Sequence, residues 1–309
     1  MHQGPQRKRL KGRYMTVCAA ALSENSNAIV CISDNGISYG DYIHWDSDSS
    51  KMFALKEKCG PVVMFAGSEE PTSRVLAALF VHENEIGENI RKTVEICERE
   101  YKQSVDELVE AKFLRPRLLT REQYVSATSG SEINPYIRNV AEQIDKFEMD
   151  CVLLVCGFDS EKKPFILEVG PPGIVTDMTV TGFHAIGSGW EKAVSRLLFD
   201  EFKRIHRLER TLYDCFDAKA NAEMASGVGY AWDAAVITQA GIKEVPATVK
   251  DLVEKVWAKS NRSPFEEYNK KEDMPLPPED WQKRLRRFTD SVMRPVYQKS
   301  ESKRNQNDV

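Results

Sequence analysis

The sequence predicts an α+β fold: a four-layer αββα sandwich of two antiparallel sheets flanked by helices, with a helical C-terminal extension. Three observations lead there. Apolar runs come in pairs separated by turn-forming residues, as hairpins do. Two such groups are divided by long segments with helical spacing. The strands do not alternate singly with helices, as a doubly wound parallel sheet demands.

From Thr16 to Ser33, TVCAAALSENSNAIVCIS splits around SENSN into two apolar runs, a hairpin signal. Residues 34–55, DNGISYGDYIHWDSDSSKMFAL, predict a polar loop with two glycines followed by a short strand. PVVMFAG (61–67) reads as a β-branched strand ended by glycine. The period then changes. EEPTSRVLAALFVHENEI and ENIRKTVEICEREYKQSVDELVEAKFL are helical, the latter followed by FLRPRLLTREQY, which has no assignment. DCVLLVCGFD and KPFILEV form a second hairpin, and GPPG turns the chain into IVTDMTV. Helical spacing resumes after AIGSG, from Trp190 to Ala225, and WDAAVITQ (232–239) closes the set. Residues 243–309 read as a charged extension, with helices in TVKDLVEKVWAK and PEDWQKRLRRFTDSVMRPV, a proline-bearing linker between them and a frayed tail.

Composition narrows the function. The chain is 41% hydrophobic and 29% charged, enough for a real core. Its net charge is −4, and Arg7, Lys8, Arg9, Lys11 and Arg13 stand in a leader without acids, so the remainder is more acidic still. That balance argues against a nucleic-acid surface. Cys18, Cys31, Cys59, Cys97, Cys151, Cys156 and Cys215 form no CxxC pair and sit mostly in apolar runs, so they read as reduced core residues of a cytoplasmic protein. No apolar run reaches the ~18 residues that span a bilayer. No metal-ligand spacing or GxxxxGK[ST] pattern occurs, and no cofactor is expected.

The residues that carry chemistry occur in order: Thr16, Asp34 in CISDNG, Lys51 in SSKMF, Gly67 in MFAGS, Ser188 in AIGSG, then Glu223 and Ser226 in AEMASGVG. Over residues 16 to about 240 this series resembles the proteasome β-type family of N-terminal-nucleophile hydrolases, which includes a bacterial two-component relative of the proteasome. The resemblance implies a threonine peptidase. A threonine hydroxyl needs a base within hydrogen-bond reach, and the α-amine of a chain-terminal Thr16 supplies one without any histidine. Accordingly His2, His44, His82, His184 and His206 read as surface or structural residues. By resemblance, the Lys51 ammonium keeps that amine partly deprotonated and Asp34 holds Lys51 in place. Gly67 offers a backbone N–H to the oxyanion. Ser188 bonds the terminal amine, and Glu223 and Ser226 support the threonine.

Three features depart from the family pattern: Glu223 replaces an aspartate, Trp190 replaces a second serine after GSG, and the run NGIS after Asp34 stands where the family has a Ser-Arg pair. Met15 precedes Thr16, so residues 1–15 are expected to be a removable leader or a misassigned start, with Met15 the true initiator. The expected divisions are 1–15, a hydrolase domain at 16–242 and the extension at 243–309. By resemblance the chain self-associates into rings or stacked rings and acts on unfolded protein or peptides, and any ATP-dependent unfoldase is a separate protein. Two alternatives stay open: a catalytically silent scaffold subunit, or a small-amide hydrolase sharing the nucleophile.

Overall fold

A computed structural model describes residues 16–39, 43–46, 50–56, 60–129, 133–225, 228–260 and 280–307. Two five-stranded antiparallel sheets form its centre. The first has strand order β10-β1-β2-β11-β12, built from β1 (Cys18–Ser23), β2 (Ala28–Asp34), β10 (Phe183–Ile186), β11 (Trp232–Thr238) and β12 (Gly241–Glu244). The second is ordered β5-β6-β7-β8-β9, from β5 (Met52–Ala54), β6 (Val62–Gly67), β7 (Cys151–Phe158), β8 (Pro164–Gly170) and β9 (Ile174–Asp177). The expected hairpins are β1–β2 and β7–β8.

Alternation within each strand makes the layers. In β1 and β2, Cys18, Ala20, Leu22, Ile29 and Cys31 face the second sheet and meet Val62, Met64, Leu154 and Ile166. Their neighbours Ala19, Ala21, Val30 and Ile32 face the other way, onto α5 (Trp190–Phe199) and α6 (Leu208–Ala222). Both faces are therefore covered, and these strands read as continuous apolar runs despite being antiparallel. On the far side, Val63, Leu153, Val155 and Leu167 pack against α1 (Glu69–Val81) and α2 (Ile90–Val109). Helix, sheet, sheet and helix are the four layers.

The extension joins the first helical layer. From α7 (Ala247–Ser260), Val249, Leu252 and Val253 enter the cluster that holds Leu212 and Phe216 of α6. Leu285, Phe288, Val292 and Met293 of α8 (Trp281–Asn307) do the same. Helix α8 continues to Asn307, through most of the segment expected to fray.

Several elements differ from expectation. The polar stretch after Asp34 contains a hairpin, β3 (Gly36–Tyr39) with β4 (Ile43–Asp46). Strands β10 and β12 are four residues each, too short for an alternation signal. The helical stretch from Trp190 is two helices, because residues 200–207 leave the helix to dock on the β1–β2 turn. There Glu24 N donates to His206 O and Asn25 N to Arg204 O, at 2.9 Å each. The unassigned FLRPRLLTREQY (113–124) starts at the end of a π turn, Glu110–Leu114, and continues through a 3₁₀ turn at Arg115–Arg117 and left-handed Leu118. Helices α3 (Arg121–Thr128), opened by a Thr120/Gln123 capping box, and α4 (Pro135–Asp145) follow.

Candidate active site

Thr16 lies just before β1 and is buried. Its hydroxyl donates to Asp34 Oδ1 at 3.0 Å, and Lys51 Nζ donates to the same hydroxyl oxygen. Lys51 Nζ also pairs with Asp34 Oδ1 at 3.0 Å, both side chains being nearly or fully shielded from solvent. The start of β1, the end of β2 and the residue ahead of β5 thus bring three side chains together.

A buried carboxylate is stable only when its oxygens are occupied. Besides Thr16 and Lys51, Asp34 Oδ1 accepts from Val17 N at 2.9 Å. Its Oδ2 accepts from Gly36 N at 3.1 Å and Gly229 N at 2.9 Å. Three backbone N–H groups, one hydroxyl and one ammonium therefore fix the Asp34 charge.

The AIGSG loop grips Thr16 from the other side. Thr16 N donates to Ser188 Oγ at 3.1 Å, and Thr16 O accepts from Gly189 N at 3.2 Å. Gly187 makes this possible. Its φ is +93°, and a Cβ there would lie 2.2 Å from Thr16 O.

Gly67 ends β6 at φ +127°, where a Cβ would lie 2.3 Å from Asp150 O. With Thr16 and Lys51 it lines a cavity of about 650 Å³. The first turn of α1 lines it too, and Ser68 donates its hydroxyl to Asp150 Oδ2 at 2.6 Å instead of capping that helix. The N-terminal end of α1, with its partial positive charge, therefore borders the cavity beside the threonine.

Glu223 stands at the end of α6, where its carboxylate accepts from fully buried Lys219 Nζ at 2.7 Å. Lys219 also donates to Tyr230 O at 2.5 Å. The pair ties down the turn that delivers Gly229 N to Asp34. Ser226 lies outside the described residues, as do residues 1–15 and Cys59.

Other nucleophiles are muted. Cys18 donates to Phe65 O, and burial pushes its thiol up to about 12, against the pull of Lys51. Burial also lifts Cys97 and Cys151 to about 12, and the six described cysteines are all buried and free. His82 pairs with Glu85 and Glu100, His184 with Glu168 and His206 with Asp214. Among the described residues, no group of three or more His, Cys, Asp or Glu could hold a metal ion. No described helix is long and apolar enough to cross a membrane.

No family model matches the chain, and no curated protein matches it. Among solved structures, it is similar to the crystal structure of eukaryotic HslV from Trypanosoma brucei, at 19% identity and a TM-score of 0.47. That match covers 72% of this chain and 100% of the other.

Of the expected residues, Thr16 contacts Asp34, Lys51 and Ser188 directly, and Gly67 lines the cavity with Thr16 and Lys51. Gly36, Gly229 and Lys219 also serve the site, and nothing in the sequence alone gives them a role. Both glycines stand inside quoted motifs, DNG and ASGVG, yet they act through backbone N–H groups that carry no residue-type signal. Lys219 looks like an ordinary helix-surface cation until the fold buries it.

Proposed function

We propose that the chain is a threonine-type peptidase of the proteasome β-subunit kind, with Thr16 as nucleophile once the residues before it are removed. The observation that carries this reading is the convergence of Lys51 and Asp34 on the Thr16 hydroxyl, with Thr16 N held on Ser188, at the edge of a large cavity.

In this reading the Thr16 α-amine occupies the place of the present peptide nitrogen, next to its own hydroxyl. It takes the hydroxyl proton as Oγ1 attacks the substrate carbonyl carbon. The Lys51 ammonium disfavours protonation of the amine and stabilises charge developing on Oγ1, while Asp34 fixes Lys51. The backbone N–H of Gly67 is assigned to the oxyanion. The amine then returns the proton to the departing peptide nitrogen, leaving an ester on Oγ1. Water, deprotonated by the same amine, attacks the ester and restores the hydroxyl. Ser188 orients the amine and Glu223, through Lys219, positions the Gly229 turn under Asp34. Ser226 is assigned a supporting role.

Further parts of the reading rest on the family resemblance. These are self-association into rings or stacked rings, unfolded protein or peptide substrates, a separate ATP-dependent unfoldase, a cytoplasmic location and the boundaries at residues 16 and 243. The scaffold alternative draws on the Lys219 pair at Glu223, a position the family gives to aspartate.

The test combines mass and activity. Natively expressed protein should begin at Thr16 by intact mass, form a β-lactone or peptide-epoxyketone adduct on Thr16, and cleave casein or fluorogenic peptides. A protein that keeps the preceding residues while cleaving peptides would overturn the amine mechanism. A protein trimmed to Thr16 that neither labels nor cleaves would favour the scaffold. Turnover of small amides without peptides would favour the amidase.

A further inference from the structure

The cavity beside Thr16 has two kinds of wall. Phe53, Phe65 and Leu76 make it apolar, and the rings of Phe53 and Phe65 stack at 5.9 Å between centroids. Its rim is acidic. Glu69 comes from the first turn of α1, and Glu148 and Asp150 come from the segment entering β7.

The cations at this cavity are already committed. Lys51 is paired with Asp34, and Lys112 lies 3.4 Å from Glu70 and over the Phe147 ring. Glu69, Glu148 and Asp150 are exposed and have no cation partner among the described residues. The positive end of α1 accounts for Glu69. It does not account for Glu148 and Asp150, which belong to another element and would repel one another and Glu69 across the rim.

Resting on the peptidase reading, we infer that this cavity takes a lysine or arginine side chain of the substrate, on the acyl side of the cleaved bond. The acyl residue stays bonded to Thr16 Oγ1 through the intermediate, so its side chain is the one the adjoining cavity must hold. A long basic side chain fits both walls: its methylene stem lies along the phenylalanines and its charged head reaches the rim carboxylates. An acidic side chain would meet three carboxylates that no cation pairs among the described residues.

The experiment compares fluorogenic peptides that differ only in the acyl-side residue, Arg, Leu or Glu, with the natively expressed protein. Arg is expected to exceed Leu in kcat/KM and to exceed Glu by about 10-fold or more at low salt, an advantage that 0.5 M NaCl erodes. Glu148→Lys should cut the Arg:Leu ratio by about 5-fold, and Glu148→Gln by less. Preference for Leu or Glu, or a ratio that Glu148→Lys does not move, overturns the inference. Cleavage that prefers Leu and is lost in Thr16→Ala removes the basic selectivity alone. Failure to cleave any peptide, with no β-lactone adduct on Thr16, removes the peptidase reading and the selectivity with it.

Discussion

Two buried carboxylates, Asp34 at the candidate site and Asp214 on α6, show opposite ways of holding a charge inside this protein. Both are fully buried. Asp34 is met on both oxygens by donors that the backbone and neighbouring strands hold in fixed positions. Asp214 accepts from Arg210 Nε at 2.6 Å on one oxygen, while the other has no hydrogen bond and lies 3.4 Å from His206 Nδ1. Burial therefore holds the Asp214 carboxyl above the usual carboxylate range, despite the opposing pull of Arg210 and His206. Asp200 nearby is raised by the same cause. The difference between the two lies in their donors: five on the two oxygens of Asp34, and a hydrogen bond on only one oxygen of Asp214.

The largest effect tests the first region. Thr16→Ala should lower peptide hydrolysis by about 10³-fold or more, read with a fluorogenic peptide, while Thr16→Ser keeps measurable activity. Unchanged cleavage in the alanine variant would move the nucleophile elsewhere.

Removing the carboxylate should harm fold and chemistry together. Asp34→Ala leaves the Lys51 ammonium and three N–H groups without their acceptor, and should destabilise by about 3 kcal/mol in urea unfolding, with activity lost. A loss below about 1 kcal/mol would mean that water replaces the carboxylate, contradicting the contrast with Asp214.

The second region should respond to pH in the opposite sense to an ordinary paired acid. A carboxyl raised in the folded state binds its proton more tightly there than when unfolded. Its favourable contribution is complete below the unfolded value of 3.8 and is lost as pH rises through the raised folded value. Asp214→Asn should therefore gain stability relative to the parent at pH 7, and the gain should shrink toward pH 4. Melting curves across that range check it, and a gap independent of pH would show that Arg210 and His206 compensate the charge fully.

The smallest effect concerns the extension. Tyr297 OH donates to Glu24 Oε2 at 2.8 Å, while Leu208 N donates to Glu24 Oε1 at 2.7 Å, so one β-turn glutamate caps α6 and holds α8. Tyr297→Phe should cost about 0.5 kcal/mol, since the pair is exposed. A larger loss would mean that α8 is anchored mainly at this point and not by Phe288 and its neighbours.

The strands legible in sequence were those whose apolar runs are long and bounded by turn residues, such as β1, β2, β7 and β8. The β3–β4 hairpin was hidden by its polar flanks, and β10 by its four-residue length. The break between α5 and α6 was hidden because helical spacing runs straight through residues 200–207. Only the pull of the β1–β2 turn and the Phe183–Phe202 contact, 5.3 Å between centroids, unwinds them.

By itself the sequence determined the layered class and the order in which Thr16, Asp34, Lys51, Gly67 and Ser188 occur, because periodicity and residue chemistry are local properties of the chain. Only the tertiary structure decided that Gly36 and Gly229 would complete the Asp34 shell, that Lys219 would be buried against Glu223, and that three rim carboxylates would share one cavity. Those features depend on backbone groups and on charges brought together from distant segments. A one-dimensional string does not carry such separations until the two sheets close on each other.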